Sequence, residues 1–276
     1  MITLPAIIIL VLFGFFIGIL GSVMGVGGGV FIVPLLVLSF HLPMQNAIAI
    51  SLIAIIATSS AVASVNVEKG LANIRLGIYL ETAMAIGSIV GALITNILPG
   101  KLLQFLFSIF LFPIALSMYL KAMKGKKEEN IQQTMEKNIF GGSFFDAHKN
   151  SHTIYSAKKV PLATFFSFFA GGLSGLLGLG GGIIQVPVMN LLCGVPIKAA
   201  AATSNFMIGV SAAASSIIFL KKGYILPLLT VPLVVGVLAG SFAGIHFLYR
   251  AKSEKIQMFF SILVMIVGIR MLIKSF

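Results

Sequence analysis

Gly25-Val26-Gly27-Gly28-Gly29, followed by Pro34, recurs as Gly178-Leu179-Gly180-Gly181-Gly182, followed by Pro187. These two clusters are where residue type and spacing in the chain could do chemistry. Consecutive glycines leave backbone N–H groups free of side-chain cover and permit irregular backbone. At a helix start such N–H groups, with the helix dipole behind them, can replace the hydration of an anion. The competing reading is close helix packing through small residues. The clusters are not nucleotide-binding fingerprints, because no strand precedes them and no Gly-Lys-Ser/Thr follows.

Neutral donors accompany the clusters. Ser51, Thr58, Ser59, Ser60, Ser64 and Asn66 lie in one apolar segment, and Thr203, Ser204, Asn205, Ser211, Ser215 and Ser216 lie in another. Hydroxyls and amides of this kind can donate to an oxyanion, although Ser and Thr also bond back to the preceding helical turn. The expected substrate-binding set is Gly27, Gly28, Gly29, Ser51, Thr58, Gly180, Gly181, Gly182, Thr203, Ser204 and Asn205. Asn205 stands out among the side chains because a buried amide must find partners. Glu81 is the one carboxylate well inside an apolar segment, a position suited to proton coupling or to pairing with Lys69 or Arg75 near the interface. His246 and Arg75 read as residues of segment ends, and His41 lies in a connection. The four histidines take no metal-ligand spacing and no serine has an activating His and acid nearby, so neither a metal or cofactor nor an enzymatic function is expected.

The elements that must position these residues are membrane helices. Of the 276 residues, 58% are hydrophobic and only 9% charged. Apolar segments run roughly 4–38, 44–66, 74–97, 102–121, 160–193, 197–220, 225–249 and 255–273, so the fold class is an all-α polytopic membrane protein. An offset of 153 residues pairs Gly18 with Gly171, Pro43 with Pro196, Ser51 with Ser204, Gly87 with Gly240 and Gly91 with Gly244. Matches over four segments point to two homologous repeats, 1–121 and 160–276, joined by a connection over 122–159. The first and fifth segments are too long for simple crossings: 35 residues at ~1.5 Å would reach ~52 Å, against an apolar layer of ~30 Å. Each must break at its glycines, either as one interrupted crossing or as a hairpin. The first choice gives eight crossings and parallel halves, the second ten crossings and inverted halves.

The net charge of +12 resides in connections and not in a basic stripe with interleaved aromatics, which argues against nucleic acid and for lipid contact. Lys124, Lys126, Lys127, Lys137, Lys149, Lys158 and Lys159 mark 122–159 as cytoplasmic, while the remaining basic residues do not separate the two topologies. Within that connection Ile131, Met135 and Ile139 have the spacing of an amphipathic surface helix. The single cysteine, Cys193, forms no intramolecular disulfide and reads as packing. The apolar N-terminus lacks a preceding positive charge and a clear cleavage site, so it reads as a mature membrane segment.

The clusters followed by Pro, together with Pro196-Ile197-Lys198-Ala199-Ala200-Ala201-Ala202-Thr203-Ser204 and its weaker copy Pro43-Met44-Gln45-Asn46-Ala47-Ile48-Ala49-Ile50-Ser51, resemble the TauE/SafE sulfite exporter family over nearly the whole chain. The resemblance implies a permease of the inner (plasma) membrane for sulfite, organosulfonates or related anions, built from two homologous halves. Ile50 stands where the second copy has Thr203, so the halves are not expected to contribute equally. An anion channel and a membrane scaffold or sensor acting through the connection are the alternatives. The small anion and membrane lipid are the expected partners; the oligomeric state is not legible.

Overall fold

The computed structural model describes residues 4–25, 27–124, 139–146, 151–248 and 253–275. It is almost wholly helical. Helices α1 (Leu4–Met24), α2 (Gly29–Ser39), α3 (Met44–Glu68), α4 (Ile74–Thr95) and α5 (Gly100–Lys124) precede a two-stranded hairpin, β1 (Gly142–Asp146) and β2 (Ser151–Tyr155). Then follow α6 (Val160–Leu177), α7 (Gly182–Pro187) continuing as a π-helical turn over Val188–Leu192, α8 (Ile197–Lys221), α9 (Pro227–Leu248) and α10 (Ser253–Ser275). Among the described residues six helices are long and apolar enough to cross a membrane. The amphipathic pattern from Ile131 to Ile139 lies mostly outside the described residues, and Ile139 itself sits in a turn.

Helix ends follow local chemistry. Pro43 and Pro196, with extended backbone, stand just before α3 and α8, where the missing N–H costs nothing. The Asn73 side-chain oxygen Oδ1 accepts the Leu76 N–H at 3.1 Å and caps α4. Gly178 ends α6 in the left-handed conformation that glycine adopts freely.

The helices pack as crossed pairs. Helix α1 lies along α9, and α6 along α4, each pair running in the same direction: a Cβ on Gly236, Gly240 or Gly244 would strike the backbone at Val11, Phe15 or Ile19, and one on Gly171 or Gly175 would strike the carbonyl of Met84 or Ser88. Gly87, Gly91, Gly240, Gly244, Gly18 and Gly171, all picked out by the 153-residue offset, therefore serve close helix approach. Helices α3 and α8 cross between these pairs, where a Cβ on Gly209 would meet the Ser59 side chain.

Hydrogen bonds define the two ends of the bundle. At one end Gln45 Nε2 donates to the Leu98 carbonyl (3.3 Å), Asn46 Nδ2 to that of Tyr224 (2.8 Å) and Lys274 Nζ to that of Val37 (2.8 Å). At the other, the Asn73 N–H donates to Thr203 Oγ1 (2.8 Å) and the Lys158 N–H to the Cys193 carbonyl (2.9 Å). Helix α6 thus starts at the end where the π turn finishes, and α1, parallel to α9, starts at the end where α2 finishes. The chain reverses at each glycine cluster, which is the hairpin alternative. Gly181 returns to the level of Ala170 and Ser174, and Gly28 returns to that of Ile17.

The β-hairpin is a feature that the sequence reading of the connection lacked. Phe144 and Tyr155 are buried beneath it, with ring centroids 6.4 Å apart. It sits against the α3–α4 turn: Asn73 Nδ2 donates to the Phe140 carbonyl (3.0 Å), and the Phe140 ring lies 5.0 Å from that of Tyr79. Burial raises the Tyr155 hydroxyl above its ordinary range, and its hydrogen bond with Asn73 pulls the other way.

Candidate binding site

The two reversals meet in the middle of the bundle. A Cβ on Gly29 would collide with the Gly178 carbonyl and the Ile55 side chain, and one on Gly182 with the Gly25 carbonyl and the Ile208 side chain. These contacts are the same set shifted by 153 residues, so each α-helical restart is pressed against the opposite reversal. Gly29 and Gly182 owe their identity to that packing. Gly25, Gly27, Gly28, Gly178, Gly180 and Gly181 all have positive φ, between 68° and 82°, and supply the turn. Gly28 and Gly181 occupy the N-cap positions of α2 and α7 with no side-chain cap, so the first N–H groups of each restart have no carbonyl behind them.

The expected side-chain donors fall into different environments. Ser51 Oγ donates to the Gly178 carbonyl at 2.9 Å and ties α3 to the second reversal. Thr58 Oγ1 donates to its own helix at the Ala54 carbonyl (3.0 Å), the back-bonding alternative. Thr203 accepts the Asn73 N–H and holds the α3–α4 turn, away from the glycines. Asn205 is buried and its backbone carbonyl accepts a hydrogen bond from Ser59 Oγ. Ser204 is also fully buried, but its hydroxyl has no partner, although it lies 3.1 Å from where a Cβ on Gly182 would stand.

Two residues that the sequence reading passed over stand beside the second reversal. Gln185, one turn past Gly181 on α7, is fully buried; Ser167 Oγ donates to its Oε1 at 3.0 Å, while Nε2 has no partner. Ser174 is fully buried with an unpartnered hydroxyl, and its Cβ lies 3.4 Å from where a Cβ on Gly181 would stand. A lone polar residue within Gly181-Gly182-Ile183-Ile184-Gln185-Val186 is the signal that would have found Gln185. Glu81 is 5% exposed and both its carboxyl oxygens lack partners. It lies one turn from Gly77, which faces Thr203 and Phe206, and three residues from Met84, whose methyl group closes on the Gly181 position. The expected pairing with Lys69 or Arg75 is therefore not made. Among the described residues no cluster of His, Cys, Asp or Glu has the makings of a metal site.

A bundle of apolar helices folded around two facing backbone reversals, with buried polar groups beside them, has the anatomy of a transport site. The family model for the sulfite exporter TauE/SafE matches residues 10–271. The chain belongs to the TauE/SafE family. Its relatives include the probable membrane transporter protein YunE of Bacillus subtilis (strain 168), 30% identical over 96% of this chain and 97% of that protein. YdhB, a probable membrane transporter protein of the same strain, is 26% identical over 87% of this chain and 89% of its own length. The sulfite exporter TauE/SafE family protein 6 of Arabidopsis thaliana is 24% identical over 79% of this chain and 68% of its own length. No solved structure matches the chain. As a family member it is a multi-pass membrane transporter.

Proposed function

We propose that the transported species is a small sulfur-containing oxyanion, sulfite or an organosulfonate, bound where the two glycine reversals meet. The meeting of the restarts, Gly29 on the Gly178 carbonyl and Gly182 on the Gly25 carbonyl, is the observation that carries this reading. It brings two uncapped helix starts together in the bundle interior, where among the described residues no Lys or Arg side chain competes for the anion. The family description and the name of the Arabidopsis relative support the choice of sulfur oxyanions.

The two halves are read as inverted repeats. Helices α1–α5 correspond to α6–α10, and the crossed pairs α1–α9 and α4–α6 exchange under that correspondence. Rocking one half against the other would expose the site alternately to each side. Residues 122–159 are cytoplasmic in this reading, which puts the Asn73, Thr203 and Cys193 end of the bundle at the cytoplasmic face of an inner or plasma membrane. Glu81, entering from that end, couples the anion to a proton.

Flux into proteoliposomes tests the proposal, with sulfite, sulfate, thiosulfate and sulfoacetate compared with a simple carboxylate. Saturable flux of one or more sulfur anions, with the carboxylate excluded, is the expected result. Conductance that does not saturate would mean a channel, and absence of flux under any gradient would mean a scaffold or sensor.

A further inference from the structure

Among the described residues, the unpartnered polar side chains deep in the bundle all stand beside the second reversal, and helical register stacks them. Met84, Gly181 and Ser174 touch or nearly touch in one layer. One turn toward the Asn73 end, α4 presents Glu81, α6 presents Ser167 and α7 presents Gln185, because α4 and α6 run in parallel and α7 runs back. Ser167 and Gln185 are hydrogen-bonded in this layer, and the Gln185 amide N–H group, both Glu81 oxygens and, one layer up, the Ser174 hydroxyl have no partner. At the positions 153 residues away stand Gly14 for Ser167, Ile32 for Gln185, Val234 for Glu81 and Gly21 for Ser174. Around the first reversal the equivalent space is filled with apolar atoms and backbone. Burying an amide and two hydroxyls without partners costs free energy, and burying a carboxyl costs more when it is ionised. A ligand that satisfies them recovers that cost.

From this we infer a proton-linked oxyanion site whose side chains, Gln185, Ser174, Ser204 and Glu81, all stand on the second reversal's side of the meeting point. The inference rests on the transporter reading above and deepens it. The amide N–H group and two hydroxyls are donors suited to the oxygens of a tetrahedral or pyramidal anion. Glu81 joins them only when it carries a proton: as an acid it donates a hydrogen bond, and as a carboxylate it repels the anion across a low-dielectric interior. Nothing else in the surrounding helices can neutralise it. Helices α6 and α7 carry no charged residue; on α4 the other ionisable groups are the exposed Arg75 and Tyr79, and on α8 they are Lys198 and Lys221 at its two ends. Where Glu81 is ionised in the empty site, binding the anion therefore takes up a proton onto it. By linkage, anion affinity is highest where Glu81 is protonated and falls as pH rises through its titration.

The test uses the purified full chain and anions whose own charge is constant from pH ~5 to ~11, namely sulfate, thiosulfate and methanesulfonate. Calorimetric titration in two buffers of different ionisation enthalpy counts the protons taken up per anion bound. Above the Glu81 titration the wild type is expected to take up about one proton with each anion, with affinity falling about tenfold per pH unit; below it, binding takes up no proton and does not depend on pH. Glu81→Gln, which keeps a donor and loses the proton, should bind with no proton uptake and no pH dependence. Gln185→Leu should weaken binding by about tenfold or more at unchanged thermal midpoint, while Ile32→Val in the equivalent layer beside the first reversal should leave affinity intact. Proton uptake that persists in Glu81→Gln, or affinity untouched by Gln185→Leu, would overturn the inference. If anions bind and are carried with no proton uptake and no pH dependence anywhere in the range, the inference fails and the transporter reading stands. If none of them is bound or carried, both fall.

Discussion

The two glycine reversals share a backbone and differ in the side chains around them. At the first, from Gly25 to Gly29, the neighbouring layer holds Gly14, Ile32 and Val234, with no polar side chain among them. At the second, from Gly178 to Gly182, the equivalent positions hold Ser167, Gln185 and Glu81, and the serines differ as well: Ser51 donates to Gly178 while Ser204 donates to nothing. The two reversals keep one geometry, and the unsatisfied polarity stands beside only the second. The lesson is that packing symmetry and ligand chemistry need not travel together. The turn glycines and the crossed helices obey the 153-residue offset, whereas the groups available to a ligand violate it.

The largest effects should fall on what the halves have in common. Gly29→Val and Gly182→Val each force a side chain into the carbonyl of the opposite reversal, and overpacking of this kind costs about 1–3 kcal/mol or more. Both variants should lose thermal midpoint and folded yield to a similar extent in detergent; a large loss at one and none at the other would break the symmetry of the packing. The serines come next and should part company. Ser51→Ala strands the buried Gly178 carbonyl and should destabilise by about 1–3 kcal/mol, while Ser204→Ala removes no protein hydrogen bond and should leave the thermal midpoint near that of the wild type. Equal destabilisation by the two would mean that Ser204 holds the fold together just as Ser51 does.

A smaller effect is expected at the end of the bundle. Asn73→Ala removes the α4 cap and the bonds to Phe140 and Tyr155, and should cost about 1 kcal/mol. Limited proteolysis should then cut the connecting hairpin faster while the apolar helices stay protected. Unchanged proteolysis would show that the hairpin is held by its buried rings, Phe144 and Tyr155, and not by Asn73.

Much of the scaffold was legible because hydrophobic length and glycine spacing are one-dimensional signals. The overlong segments announced a break, and the triple glycines located it. Whether the chain reversed or ran on was not legible, since that depends on contacts such as Gly181 with Ala170, and the balance of Lys and Arg was even. The β-hairpin escaped because Gly142–Tyr155 is short and polar, and its ordering depends on tertiary partners in the α3–α4 turn. The candidate site was legible only in outline. Thr58 and Thr203 belong to the expected donor set by residue type, yet one hydroxyl bonds its own helix and the other accepts from Asn73. Gln185 was invisible because a lone amide in an apolar run gains meaning only when its partner, Ser167, is seen to satisfy one end and leave the other open.

The most direct test is flux of a sulfur oxyanion in proteoliposomes carrying wild type, Gln185→Leu or Ile32→Val at matched protein content. Saturable flux in the wild type, a loss of about tenfold or more in Gln185→Leu and near-normal flux in Ile32→Val are predicted. Equal flux in Gln185→Leu and wild type, or no flux of any sulfur anion in the wild type, would contradict an anion site at the second reversal.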